Sequence, residues 1–144
     1  MSVFGVKYRL GLIDIRWASK LYAVIANSLK SYDGVMPIAV DGFRDHIHIF
    51  YSSQGKLSEE EILARVKSKS ARWINENRLT VGRFGWQKGG GHFSYSKSQV
   101  DSVRNYIHNQ AVHHSSVSFR EEYVRFLTKS GVEFTADYLP EELI

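Results

Sequence analysis

The residues with the clearest chemical potential are His46 and His48, in the segment Asp45-His46-Ile47-His48-Ile49. In a strand, successive side chains point to opposite faces, so His46, His48 and Phe50 share one face, while Ile47, Ile49 and Tyr51 share the other. Two imidazoles projecting together suit a divalent metal ion. Two ordinary, half-exposed strand histidines are the competing reading. A second constellation is Tyr106 with Gln110, spaced i,i+4 and therefore on one helix face. His113 and His114 continue that stripe, and an isolated tyrosine at such a place could equally be a core residue. Taken together, these groups predict a site in which two histidines and the Gln110 side-chain oxygen hold a divalent metal. The metal acts as a Lewis acid on a phosphodiester, and the Tyr106 phenol attacks the phosphorus.

The rest of the sequence must supply the scaffold and the polyanion-binding surface. Residues 65–104 carry nine basic residues against two acidic ones, a local charge of +7 in a chain of net charge +4. Arg65, Lys67, Lys69, Arg72 and Lys88 are the candidate contacts to a nucleic-acid backbone. A solvated, lysine-rich helix face would give the same composition. With 144 residues, 43% hydrophobic content and 24% charged, the chain is expected to form a single domain over 1–144. The absence of cysteine excludes a disulfide framework and a thiol nucleophile. The longest apolar run, residues 21–26, is far short of a bilayer span of roughly 20 residues. No signal-peptide pattern opens the sequence, so no membrane partner and a cytoplasmic location are expected.

Hydrophobic spacing orders the elements. Val3–Leu10 is expected as a strand, Ile15–Lys30 as a helix, Val35–Val40 as a strand with Pro37 marking an edge, and Asp41–Arg44 as a turn. Asp45–Ser52 follows as a strand with strict alternation. Ser58 begins a capping box before a helix through Ile74. Gly89-Gly90-Gly91 precedes a short strand, His92–Ser96. Ser98 is expected to cap one helix running across Tyr106 to Gln110. A last helix runs from near Phe119 through Leu127, with Gly131 just beyond it. The order β-α-β-β-α-β is that of an α+β, ferredoxin-like split βαβ sandwich, here with an added tyrosine-bearing helix and a C-terminal helix.

The motifs resemble, in order and spacing, those of the single-tyrosine HUH transposases of the insertion sequence 200/605 type, a group that includes REP-associated tyrosine transposases. They are the histidine–hydrophobic–histidine strand at 45–49, Trp86-Gln87-Lys88 with the glycine turn and following strand to Ser96, and Tyr106-Ile107-His108-Asn109-Gln110 with His113-His114, Phe119, Glu121 and Glu122. The resemblance extends to Tyr138-Leu139. Three consecutive glycines depart from the family's turn, which usually carries a side chain between them. The resemblance implies His46, His48 and Gln110 as metal ligands, Tyr106 as nucleophile and Mg2+ or Mn2+ as cofactor. It further implies cutting and rejoining of single-stranded DNA at hairpin-flanked ends through a 5′-phosphotyrosine, by a homodimer in which one subunit's tyrosine helix can complete the other's site. His113 and His114 could touch DNA, but packing and hydrogen bonding account for them better, since the metal count does not require them. The alternatives are a host-retained enzyme that processes a repeated hairpin and a non-catalytic hairpin DNA-binding relative.

Overall fold

The computed structural model describes residues 1–114 and 117–129, so Gly131 and Tyr138-Leu139 lie outside the described residues. The elements are β1 (Ser2–Gly5), α1 (Ile15–Ser31), β2 (Val35–Phe43), β3 (His46–Ser53), α2 (Glu59–Glu76), β4 (Gly91–His92), α3 (Val100–His108), α4 (Gln110–His113) and α5 (Phe119–Lys129). The strands form one antiparallel sheet in the order β2-β3-β1-β4. This is the expected ferredoxin-like sandwich with its tyrosine-bearing and C-terminal helices added. No helix among the described residues is long and apolar enough to cross a membrane.

The alternation of β3 divides the interior into two layers. Ile47 and Ile49 point toward α1 and α2, where they pack with Leu21, Ile25, Ile62, Val66 and Ile74. Phe50 points the other way and packs with Val3, Phe93, Ile107, Phe119 and Leu127. The histidine-bearing face is therefore covered by α3, α4 and α5, and His46 and His48 are fully buried rather than half-exposed. The two main helices begin where the sequence placed them. Asp14 caps α1 through the Arg16 amide, and Ser58 caps α2 through the Glu61 amide at 3.1 Å.

Four boundaries differ from the sequence expectation. The first strand stops at Gly5, because Tyr8 and Arg9 adopt positive φ (60° and 56°) and turn the Arg9 side chain into the interior. β2 runs through Asp41-Gly42-Phe43 instead of turning there, and the turn is made by Arg44-Asp45. Gly42 serves close approach: a Cβ at that position would collide with the His46 carbonyl. β4 is only Gly91–His92, after which Ser96 and not Ser98 caps the next turn, in a capping box with Gln99. Finally, the helix expected across Tyr106 to Gln110 is broken at Asn109 into α3 and α4. As expected from Pro37, β2 is an edge strand, with a register irregularity between Pro37 and Ala39.

Candidate metal centre and nucleophile

Each functional side chain is fixed by the element that carries it. The strand period sends His46 and His48 to the same face, with ring centroids 5.2 Å apart. His46 is clamped on three sides. Its Nδ1 lies 2.8 Å from Asp45 Oδ1, its Nε2 lies 3.0 Å from Gln110 Oε1, and its ring stacks on Phe119 with centroids 4.1 Å apart. Asp45 is in turn held by Arg9, whose Nε donates to Asp45 Oδ2 at 2.8 Å, and Arg9 is itself fully buried. The left-handed pair Tyr8-Arg9 thus brings a cation inward to secure the carboxylate that orients the histidine.

Arg9 and Asp45 are a buried ion pair, and neutralising one charge of such a pair costs more than the pair itself contributes. Asp45→Asn is expected to cost about 3 kcal/mol, read as a lower urea midpoint with an unchanged slope. A loss below about 1 kcal/mol, the value of an exposed pair, would show that Arg9 does not depend on Asp45.

Glu122, on α5, is the centre of the constellation. Its Oε1 lies 2.8 Å from His48 Nε2 and 3.4 Å from His46 Nε2. Its Oε2 lies 3.2 Å from His113 Nε2 and 3.3 Å from His114 Nε2, and it accepts hydrogen bonds from the Tyr106 hydroxyl and, at 3.4 Å, from Gln110 Nε2. The Tyr106 oxygen also lies 2.9 Å from His113 Nε2. Ligand atoms of His46, His48, His114 and Glu122 all fall within 4.8 Å of one another. Gln110 Oε1 is 3.0 Å from His114 Nε2 as well as from His46. His48 Nδ1 is buried without a hydrogen-bond partner among the described residues. Imidazole nitrogens, a carboxylate and an amide oxygen converging in a buried space form a donor set that fits a divalent cation.

Burial and charge interactions compete in setting the protonation of this cluster. Burial opposes ionisation of Glu122, but His48 and hydrogen bonds from His114 and His46 overcome it and hold the carboxyl far below its ordinary value of 4.5. Burial likewise disfavours the His46 imidazolium, yet Asp45 and Glu122 raise it to about 9. His48 moves the other way: burial lowers it, against the pull of Glu122. The Tyr106 phenol is pushed well above its ordinary value, first by burial and then by the adjacent Glu122 charge. At neutral pH the resting nucleophile candidate is therefore a neutral phenol donating to a carboxylate.

The structure thus brings together His46, His48, Tyr106 and Gln110, and adds Glu122, to which no role was assigned from sequence, and His114, expected only to pack and hydrogen-bond. Glu122 sits on the buried stripe of α5 with Phe119, Tyr123 and Leu127. An acidic residue on an otherwise apolar helical face was the available signal. His114 stacks beside Phe43 at 5.5 Å and hydrogen-bonds Gln110, so its packing role and its place in the cluster coincide. Gly91 lets α5 close over the sheet, because a Cβ there would come within 2.6 Å of the Tyr123 hydroxyl.

The basic candidates lie elsewhere. Arg65, Lys69 and Arg72 are exposed on α2, the helix that covers the opposite sheet face. Lys88 is exposed in the glycine turn. Lys67 is half-buried and donates to the carbonyls of Gln87, at 2.8 Å, and Gly89; burial lowers its ammonium to about 8. It ties α2 to the Trp86-Gln87 segment, which runs beside β1 through the Val6–Trp86 bridge.

Comparison with known proteins agrees with this architecture. The family model described as Transposase IS200 like matches residues 2–110. No similar sequence was found among curated proteins. The fold is similar to the 1.90 Å crystal structure of a Deinococcus radiodurans R1 protein assigned as a transposase, with a TM-score of 0.56 and 17% sequence identity over 76% of this chain and 87% of that one. A family match spanning most of the chain, on a fold that buries a histidine pair beside a tyrosine helix, leads to one conclusion: the chain belongs to the IS200-like transposase family.

Proposed function

We propose that the chain is a single-domain, metal-dependent tyrosine strand transferase that cuts and rejoins single-stranded DNA at hairpin-flanked ends. The observation that carries this reading is the Tyr106 hydroxyl hydrogen-bonded to Glu122, the same carboxylate that binds His48 and lies beside His46. Nucleophile and prospective metal ligands are thereby in one buried cluster. His46, His48 and Gln110 would hold the ion, Mg2+ or Mn2+, and Glu122 and His114 would complete the donor set. When bound, the ion supplies Lewis-acid polarisation of a non-bridging phosphate oxygen.

The chain's own groups account for the remaining chemistry. The Tyr106 oxygen attacks phosphorus, forming a tyrosine–phosphate ester as the bond to the 3′ oxygen breaks. The phenol proton passes to one of its two hydrogen-bond partners, His113 Nε2 or Glu122, and the departing 3′ oxygen takes up a proton to leave as a hydroxyl. Burial holds His113 below its ordinary value, so its ring is neutral and its nitrogen can accept. Attack of a free 3′-hydroxyl on the ester reverses the reaction without an external energy source.

Arg65, Lys69, Arg72 and Lys88 give cationic surface to the DNA backbone, and Lys67 secures the segment that carries Lys88. The family resemblance further supports a homodimer. Within a single chain Tyr106 already reaches its own cluster, so exchange of α3 between subunits would have to lift it from Glu122.

The test is a denaturing gel of the protein incubated with a labelled library of single-stranded hairpins, with and without Mn2+. A Mn2+-dependent covalent protein–DNA band is expected. Hairpin binding without any covalent band would favour the non-catalytic DNA-binding alternative.

A further inference from the structure

A groove of about 1030 Å³ lies next to the cluster, on ground that the strand-transfer chemistry does not use. Its walls are the N-terminal end of α1, the β2–β3 turn and the loop at 79–83. The Ile13 amide donates to the Arg44 carbonyl at 2.9 Å and ties the first two walls together, while Thr80 Oγ1 donates to the Gly82 carbonyl at 2.7 Å within the loop. Its floor is apolar and aromatic, with Leu12, Tyr22 and Phe43, yet Ile15 and Val81 on its rim are almost wholly exposed, at 90% and 111%. Apolar side chains held in water around a preformed groove mark a surface that a partner covers.

The charge in the groove identifies the partner's chemistry. Arg16 is already paired with Asp14 at 2.9 Å. The other acidic wall residue, Asp41, faces Tyr22 and lies 3.8 Å from His108 Nδ1. Arg44 and Arg83 make no ion pair among the described residues. The Arg44 guanidinium lies over the Phe43 ring at 5.2 Å, and His114 of the cluster stacks on the same ring at 5.5 Å. The groove therefore leads directly to the candidate metal centre. Two arginines with no acidic partner among the described residues, one of them over an aromatic ring, suit a single-stranded nucleic acid, with phosphates on the guanidiniums and unstacked bases against the floor. A duplex keeps its bases stacked inside and would leave that floor uncovered.

Building on the strand-transferase reading, we propose that this groove binds the unpaired DNA segment flanking the scissile phosphate, with Arg44 and Arg83 on its backbone and Phe43 and Tyr22 against its bases. Arg83 belongs to the basic stretch of the sequence, but it serves a surface distinct from the outer face of α2.

The test uses a fluorescein-labelled 40-nucleotide single strand of random sequence, titrated by anisotropy over a range of salt concentrations. Arg83→Glu is compared with Lys30→Glu, an equal charge reversal at the far, exposed end of α1. Arg83→Glu is expected to weaken binding by about tenfold and to flatten the log–log salt slope by about 0.7 for each phosphate that is no longer neutralised. Lys30→Glu should change affinity by less than about twofold. In parallel, a strand substituted with 5-bromouracil is photo-crosslinked, and crosslinks are expected to map to Tyr22 or Phe43. Equal losses in the two variants, or crosslinks confined to α2, would overturn the groove assignment while leaving the transferase reading intact. Failure of the native protein to bind any single strand would overturn both.

Discussion

Tyr106→Phe is expected to remove the covalent protein–DNA adduct of the proposed reaction entirely, while affinity for single-stranded hairpin DNA should stay within about twofold of the native protein. The substitution deletes one oxygen and keeps the ring. The ring contacts to His48 (6.1 Å), His113 (5.0 Å) and Phe126 (5.8 Å) are therefore retained. What disappears are the hydrogen bonds to His113 and Glu122. Glu122 keeps His48, His46, His114 and Gln110 as partners, so the stability loss should be only about 1 kcal/mol. Loss of the adduct is then attributable to loss of the nucleophile. The check is a denaturing gel run beside an anisotropy titration. A surviving adduct would move the nucleophile to another residue, and joint loss of adduct and binding would make Tyr106 a DNA-contact residue instead.

How much of this was legible in the sequence depends on the range of the interaction that decides each feature. The shared face of His46 and His48 follows from the period of a strand, a local property, and the structure has it. The two helices of the sandwich followed from apolar spacing and, for the second, from the cap at Ser58, which are local as well. The errors arose where a distant partner overrides local composition. Asp41-Gly42 has the composition of a turn, but Gly42 is needed where β2 crosses close to the His46 carbonyl. Tyr8 and Arg9 look like strand residues, but Arg9 is drawn to Asp45, 36 positions away.

The site itself divides in the same way. Tyr106 and Gln110 are close in sequence, so their convergence survives the break at Asn109, even though the continuous helix does not. Glu122 reaches His48 across 74 positions, and no local pattern specifies that pairing. From composition alone its trace was an acidic side chain on the Phe119–Tyr123–Leu127 stripe, and the family resemblance ran through Glu122 without giving it a role. Such a residue must find compensation once buried, and here it finds a ring of imidazoles and a phenol.

That compensation predicts a double effect of Glu122→Gln, on metal binding and on the metal-free fold. Gln has nearly the same shape and can still hydrogen-bond, so the substitution isolates the charge. If Glu122 belongs to the donor set, Mn2+ affinity measured by calorimetry should fall by more than about 100-fold, beyond the roughly 10–100-fold typical of losing an outer-shell partner. Without metal, stability should fall by about 3 kcal/mol, because the imidazolium of His46 loses one of its two buried anions and keeps only Asp45. The sign of the pH dependence follows from both partners. Glu122 titrates below its ordinary 4.5 in the folded state, so its contribution is present above 4.5 and is lost as pH falls toward the depressed value. His46 is raised from 6.5 to about 9, so its contribution is complete below 6.5 and is lost as pH rises through 9. The stability gap between native protein and variant should therefore be widest between 4.5 and 6.5 and should narrow on both sides. Denaturant melts from pH 3.5 to 9.5, in steps of about one unit, would trace this curve. A gap that stays constant with pH would mean that Glu122 acts by packing alone. Unchanged Mn2+ affinity would leave His46, His48 and Gln110 as the whole ligand set and reduce Glu122 to the hydrogen-bond acceptor that holds Tyr106.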